Sequence, residues 1–245
     1  MANGREGAMT RSNLLWRQLF DKESSTYTYL LGDAQAKVAL LIDPVAGQEE
    51  QYLRLLTELG LKLAYALDTH VHADHVTALG TLRELTGCTT LLGEQSQVQC
   101  VSRTFKDGDV IVVGDIALQA LYTPGHTDDS YCFYWQSELG DFLFTGDTLL
   151  IRGTGRTDFQ NGDAKAQYHS LQRLLTLPGE TWVLPAHDYK GWTRSTLAEE
   201  KAYNPRLQVA DAEAYAQLMA SLNLAHPAMM DVAVPANRGC GLTGS

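Results

Sequence analysis

The sequence predicts an α/β fold in which helices cover both faces of a layered β core. Three observations predict it. Strand-sized apolar runs alternate with amphipathic helical stretches along the chain. No repeat, low-complexity tract or linker interrupts residues 1–245, which read as a single domain with a short C-terminal extension. Most of the histidines, with two aspartates, fall just after apolar runs, where loops leave a rigid core.

The elements follow in order. Residues 37–42 read as a strand stopped at Asp43-Pro44, because proline lacks the amide donor a ladder needs. In 49–59, Tyr52, Leu53, Leu56 and Leu59 share one helical face, and Gly60 supplies the stop. Residues 63–67 form the next strand. Residues 76–85 read as a helix closed by Gly87, and 89–92 as a short strand. The turns Asp107-Gly108-Asp109 and Gly114-Asp115 set off strands at 110–113 and 116–122. Strands at 131–135 and 142–144 are split by a polar segment. A helix at 164–175, a strand at 181–184 and helices at 196–201 and 211–222 complete the pattern.

Composition excludes several classes of function. The hydrophobic fraction of 44% and charged fraction of 20% are those of an ordinary globular protein. The net charge of -10 argues against a general nucleic-acid binder, which carries a basic field. It leaves room for an anionic small substrate held by local arginines. The longest apolar runs, such as Val38-Ala39-Leu40-Leu41-Ile42, are too short to span a membrane. Residues 1–11 are polar and lack the apolar stretch of a secretory signal, so the expected compartment is cytoplasmic, or a matrix if a presequence has been removed. Cys88, Cys100, Cys132 and Cys240 form no C-x-x-C pair and no disulfide framework. They read as reduced thiols.

The chemistry concentrates in Thr69-His70-Val71-His72-Ala73-Asp74-His75, directly after a strand. His126 in Thr123-Pro124-Gly125-His126, Asp147 in Thr145-Gly146-Asp147 and His187 in Pro185-Ala186-His187 occupy other strand ends. A lone histidine in such a position is more often structural. Five of the seven histidines arranged this way point to a metal site, because clustered imidazoles and carboxylates are metal donors. His169 and His226 have no such pattern and read as structural.

These residues resemble the T-H-x-H-x-D-H signature of the metallo-β-lactamase superfamily, with His126, Asp147 and His187 as its later ligands. The resemblance implies a four-layer αββα metallo-β-lactamase sandwich with the site at one edge of its sheets. By itself it suggests a dinuclear zinc thioesterase of the glyoxalase II type. One ion would lie at His70, His72 and His126, the other at Asp74, His75 and His187, with Asp147 bridging.

Further blocks narrow the resemblance. The stretch from Asp147 through Arg152, Arg156 and Asp158 to Gln160 is similar to the persulfide dioxygenase family. So are Pro185-Ala186-His187-Asp188-Tyr189-Lys190-Gly191, Asn204-Pro205-Arg206-Leu207 and Ala233-Val234-Pro235-Ala236-Asn237. Only 58 residues follow His187 in the chain of 245, little room for the helical substrate domain of a glyoxalase II. This resemblance implies one Fe(II) per chain, held by His70, His126 and Asp147, with His72, Asp74, His75 and His187 as a supporting shell. It implies that glutathione persulfide, O2 and water give sulfite and glutathione. Arg156, Arg206 and Tyr189 would hold the substrate, with Tyr189 also acting in catalysis. Arg152 is as readily structural as substrate-binding. Cys240 falls near a cysteine the family carries close to its pocket. The partners expected are the persulfide and O2, a second copy in a homodimer and a functional link to a sulfurtransferase. No nucleic acid and no membrane is expected.

Overall fold

The computed structural model describes residues 12–222, 224 and 229–242. His226 and the N-terminal residues 1–11 lie outside them. The described chain runs β1 (Leu14–Asp21), β2 (Thr26–Asp33), β3 (Val38–Ile42), α1 (Glu49–Leu59), β4 (Lys62–Leu67), α2 (Leu79–Thr86), β5 (Thr89–Gly93), β6 (Arg103–Phe105) and β7 (Val110–Val113). It continues β8 (Ile116–Tyr122), β9 (Tyr131–Ser137), β10 (Gly140–Gly146), α3 (Ala164–Leu174), β11 (Trp182–Pro185), β12 (Ser195–Thr196), α4 (Leu197–Tyr203), α5 (Ala212–Ala220) and α6 (Met230–Arg238). One sheet has the order β1-β2-β3-β4-β5-β6, the other β12-β11-β10-β9-β8-β7.

Side-chain alternation explains the layering. In the register Tyr29↔Ile42, Leu30↔Leu41, Leu31↔Leu40, successive residues face opposite sides of the first sheet. Tyr29, Leu31, Leu40 and Ile42 meet Leu118, Phe133, Trp135 and Phe144 of the second sheet in a core between the sheets. Tyr29 and Phe144 touch edge-on across it, with ring centroids 5.0 Å apart. Leu30, Ala39 and Leu41 turn outward and pack with Tyr52 and Leu56 of α1 and Leu79 and Leu82 of α2. Cys132, Tyr134 and Leu143 do the same on the second sheet with Leu171 and Leu174 of α3 and Tyr215 of α5. The expected αββα sandwich is therefore the observed fold.

The pattern reading missed β1, β2, β6, β12 and α6. All eight residues of β2 are buried, because the strand is covered on both faces, so no polar face alternates to announce it. Pro235 lies inside α6 and argues against a helix on propensity alone. The cysteine reading also needs correction. Cys88 and Cys132 are buried free thiols, but Cys100 and Cys240 form a disulfide across 140 residues of sequence. Only the return of the chain after α6 to the segment following β5 brings them together, which spacing does not reveal.

The order of the strands sets the working edge. β8 and β10 each run antiparallel to β9, and β11 runs parallel to β10. The C-terminal ends of β8, β10 and β11 therefore share one edge. β4 of the first sheet arrives at the same place, where the Tyr131 N–H donates to the Thr69 carbonyl at 2.9 Å. Tyr27 N–H to the Ala186 carbonyl at 2.7 Å and Tyr29 hydroxyl to the Pro185 carbonyl at 2.7 Å close the seam between the sheets.

The layering carries an energetic expectation. Phe133→Ala, at 0% exposure between the sheets, is expected to cost about 3–5 kcal/mol. Val112→Ala, 59% exposed on the edge strand β7, is expected to stay within about 0.5 kcal/mol. Urea unfolding of the two variants beside the parent checks the pair, and similar losses in both would contradict the assigned core.

Candidate metal centre

Each side chain of the centre is aimed by its own loop. The loop after β4 carries His70, His72, Asp74 and His75. His126 follows β8, Asp147 follows β10, and His187 follows β11. The donor atoms of His70, His126 and Asp147 lie within 4.8 Å of one another. Those of His72, Asp74 and His187 form a second such group. The structure thus divides the residues differently from the dinuclear pattern, which would group His72 with His70 and His126, and His75 with Asp74 and His187.

The far nitrogen of each imidazole explains the division. Nδ1 of His126 donates to the Arg156 carbonyl at 2.8 Å, leaving Nε2 as a lone-pair donor 3.5 Å from Asp147 Oδ2. Nδ1 of His70 lies 2.9 Å from the Thr69 hydroxyl, and its Nε2 is buried with no protein partner. His72 is turned the other way. Its Nε2 bonds to Asp43 at 3.1 Å, so its Nδ1 looks toward Asp74, 3.9 Å away. His187 Nδ1 donates to the Ser25 carbonyl at 3.2 Å, and its Nε2 sits 3.3 Å from Asp74 and 3.7 Å from Asp147. His75 Nδ1 bonds to Asp74 at 2.8 Å.

Asp43 was read only as the end of a strand, yet it organises the loop. It accepts the Thr69 N–H at 2.7 Å, the Thr69 hydroxyl at 3.1 Å and the His72 Nε2–H. The chain His70 to Thr69 to Asp43 then fixes both the ring and the tautomer of His70. A lone buried aspartate closing an apolar strand was the available signal. Gly155 was missed as well. A Cβ there would lie 2.2 Å from the Asp147 carbonyl and 2.8 Å from His126 Nδ1, so only glycine lets this loop pass behind both residues.

The electrostatics suit a cation. Burial, reinforced by neighbouring imidazoles, pushes His70 and His72 well below the ordinary histidine range, so both are neutral donors. Burial opposes the charge of Asp147, but His187, His126 and His70 outweigh it and hold the carboxyl below its usual range. Asp74 is held well below it, burial again being overcome, here by His187 and His75. Asp147 Oδ1, the Nε2 atoms of His70, His75 and His187, and Nδ1 of His72 are buried with no hydrogen-bond partner. Unsatisfied, inward-facing donors of this kind fit a metal ion, the partner the protein itself does not provide.

Beside these residues opens a cleft of about 600 Å³. His126, Asp147, Asp74 and His187 form its floor, and Leu150, Ile151 and Phe159 one apolar wall. Arg156 and Arg206 both line it, as does Tyr189. Arg156 forms a two-point pair with Asp158, at 2.7 and 2.8 Å, with its guanidinium 4.5 Å over the Phe159 ring. Arg206 is anchored on the carbonyl and hydroxyl of Thr154. Tyr189 is 72% exposed at the mouth, its ring parallel to that of His187 with centroids 6.0 Å apart. Arg152 also lines the cleft, while pairing with the buried Glu200 and lying over the rings of Trp192 and Tyr203. Cys240 does not line the cleft. It is buried against α2, bonded to Cys100. His169 is exposed on α3, away from the centre.

Comparison with known proteins gives the family. The Metallo-beta-lactamase superfamily profile matches residues 21–96 and 101–187. Mitochondrial persulfide dioxygenase ETHE1 of Mus musculus is 47% identical over 231 residues, 94% of this chain and 89% of that protein. The crystal structure of ETHE1 from Myxococcus xanthus has a TM-score of 0.89 and 51% identity, covering 93% of this chain and all of that one. A hydroxyacylglutathione hydrolase of Methylococcus capsulatus is 36% identical over 166 residues, 66% of this chain and 62% of that protein. Fold and site together define a protein built on the metallo-β-lactamase sandwich with a histidine–carboxylate metal centre at its edge. Within that superfamily, the chain belongs to the persulfide dioxygenase family.

A pH effect follows for the metal-free protein. Burial disfavours the charged form of His187, but Asp147 and Asp74 outweigh it and raise the group to about 10 from 6.5. A raised folded pKa contributes stability that is complete below 6.5 and is lost as pH climbs toward about 10. Tm of the metal-free protein is therefore expected to fall across that window, and His187→Gln is expected to flatten the fall. Calorimetry at a series of pH values decides it; an unchanged slope in the variant would contradict the pairing.

Proposed function

We propose that this chain is a non-haem iron dioxygenase that converts glutathione persulfide, O2 and water to glutathione and sulfite. The reading is carried by the His70, His126 and Asp147 group, with its unpartnered inward atoms, in a chain 47% identical to a persulfide dioxygenase. Two imidazoles and one carboxylate are the donor set of non-haem iron(II) oxygenase sites. Bound there, iron(II) supplies redox chemistry toward O2 that zinc, with one oxidation state, lacks. The terminal persulfide sulfur is oxidised and O2 reduced. The three sulfite oxygens come from O2 and water, and the proximal sulfur leaves as the thiol.

The chain's own residues bind and orient. Arg156 and Arg206 meet the two carboxylates of the tripeptide, a task for which a planar guanidinium is suited. Asp158 and Thr154 hold those guanidinium groups in place beforehand. Tyr189, at the mouth, orients the sulfur end with its hydroxyl. Leu150, Ile151 and Phe159 exclude water from one side. His126 keeps its donor nitrogen directed inward through the Arg156 carbonyl. His72, Asp74, His75 and His187 serve as a supporting shell that fixes the orientation of the ligands. The same reading takes the chain as a single cytoplasmic domain acting as a homodimer and supplied by a sulfurtransferase. Among the described residues, no helix is long and apolar enough to cross a membrane.

A dinuclear zinc thioesterase is the second reading, favoured by the intact His72, Asp74 and His187 group. Metal analysis separates the two: one iron per chain is expected, and two zinc ions per chain would overturn the first reading. Persulfide-dependent O2 uptake is expected in the same preparation, without hydrolysis of S-lactoylglutathione. Arg156→Ala is expected to raise KM for glutathione persulfide about tenfold or more, the loss of a charge-assisted pair, at unchanged iron content. An unaltered KM would remove Arg156 from the substrate site.

A further inference from the structure

Asn237 on α6 is 2% exposed and spends its whole amide on the loop that carries the metal-facing residues. Its Nδ2 donates to the His72 carbonyl at 2.9 Å and the His75 carbonyl at 2.8 Å. Its Oδ1 accepts the Thr77 N–H at 2.8 Å. Three buried backbone groups on either side of Asp74 are thereby satisfied by one side chain more than 150 residues away. The segment after Asn237 is locked onto the same region. The Cys240 carbonyl accepts the Gly80 N–H at 2.8 Å. Gly241 has φ +75° and lies so close to the loop that a Cβ would come within 1.9 Å of the Thr77 carbonyl oxygen. Cys240, three residues beyond Asn237, is bonded to Cys100.

We propose that Asn237 is a positioning residue of the metal centre, clamping the loop of His72, Asp74 and His75, and that the Cys100–Cys240 bond latches the clamp. The proposal rests on the reading of the centre as a metal site. With the latch closed, the end of α6 is tied to the segment between β5 and β6, and Asn237 stays on the loop. Opening it breaks the S–S bond, with two electrons and two protons supplied by two thiols that leave joined as their disulfide. Cys240 is fully buried while Cys100 is half-buried, so Cys100 is the sulfur an incoming thiolate reaches. Glutathione, the product of the proposed reaction, is a thiol of this class. Released from the covalent tie, α6 holds the loop by noncovalent contacts alone, and the centre retains metal less well.

The test follows iron loss from the loaded full-length protein to a strong ferrous chelator, read by absorbance. Asn237→Ala is expected to release iron about tenfold faster, the scale of losing a partner that orients ligands. Asn237→Asp keeps the size and the Thr77 contact but loses both donors, and is expected to do the same should the alanine variant not fold. A phosphine reductant is expected to speed release from the parent. Cys100→Ser is expected to match the reduced parent and to ignore the reductant. Leu171→Ala, buried in the opposite outer layer, serves as a control for lost stability and is expected to keep the parental rate. Release from the Asn237 variants no faster than from Leu171→Ala overturns the clamp, and a parent indifferent to the reductant overturns the latch. A parent that never takes up iron refutes the iron reading instead, and the same assay with Zn(II) then tests the clamp on its own.

Discussion

The buried carboxylate of Asp43 is the constraint on which the metal-facing loop depends. Removing a carboxylate from water costs several kcal/mol. Three donors from Thr69 and His72 answer it, each charge-assisted bond worth about 1.5–3 kcal/mol. Burial still wins in the metal-free protein, since the Asp43 carboxyl lies above its usual range despite His70 and the Thr69 bonds. A cation at the centre would act in the same direction as those donors. Burial and the charge of Asp43 raise the Asp68 carboxyl well above the ordinary range, so the two carboxyls beneath the loop oppose each other's ionisation.

From that anchor the two histidines diverge. His70 reaches Asp43 through Thr69 by its Nδ1, whereas His72 reaches it directly by its Nε2. Their free nitrogens therefore face different groups, although the residues are neighbours in the motif and their rings lie 4.2 Å apart. Asp147 stands next to both groups, 3.5 Å from His126 and 3.7 Å from His187. Asp74 is engaged by His75 and His187, whereas His70 Nε2, His72 Nδ1 and Asp147 Oδ1 have no hydrogen-bond partner.

Much of the fold was legible because its amphipathic elements alternate. Helix α1 and strands β7 and β8 have the bounds that periodicity and turn residues predict. The ends of β4, β8, β10 and β11 were legible as the places where histidines and aspartates follow apolar runs. What stayed hidden depends on distance in sequence. Asp43 looks like any strand-ending aspartate until Thr69 and His72 arrive beside it. Asn237 lies in a proline-containing helix whose purpose appears only when it meets residues 72–77. The pairing of Cys100 with Cys240 is of the same kind. Local pattern reports what a residue prefers, and tertiary contact determines what it does.

The cleft sets guanidinium groups inside an acidic protein. A net charge of -10 would repel any anionic ligand if charge were evenly spread. Arg156 and Arg206 line the cleft beside the apolar Leu150, Ile151 and Phe159, with Asp74, Asp147 and Asp188 also in the lining. Both guanidinium groups are held by the protein itself, Arg156 by Asp158 and Phe159, Arg206 by Thr154. The Arg156 backbone also reaches the metal-facing residues, since its carbonyl orients His126. Residues 150–160 thus supply an apolar wall, a cation and the orientation of one metal-facing histidine, and Gly155 lets them lie directly behind Asp147 and His126. Selectivity in this chain is therefore expected to reside in that loop more than in the histidine motif it shares with the hydrolases.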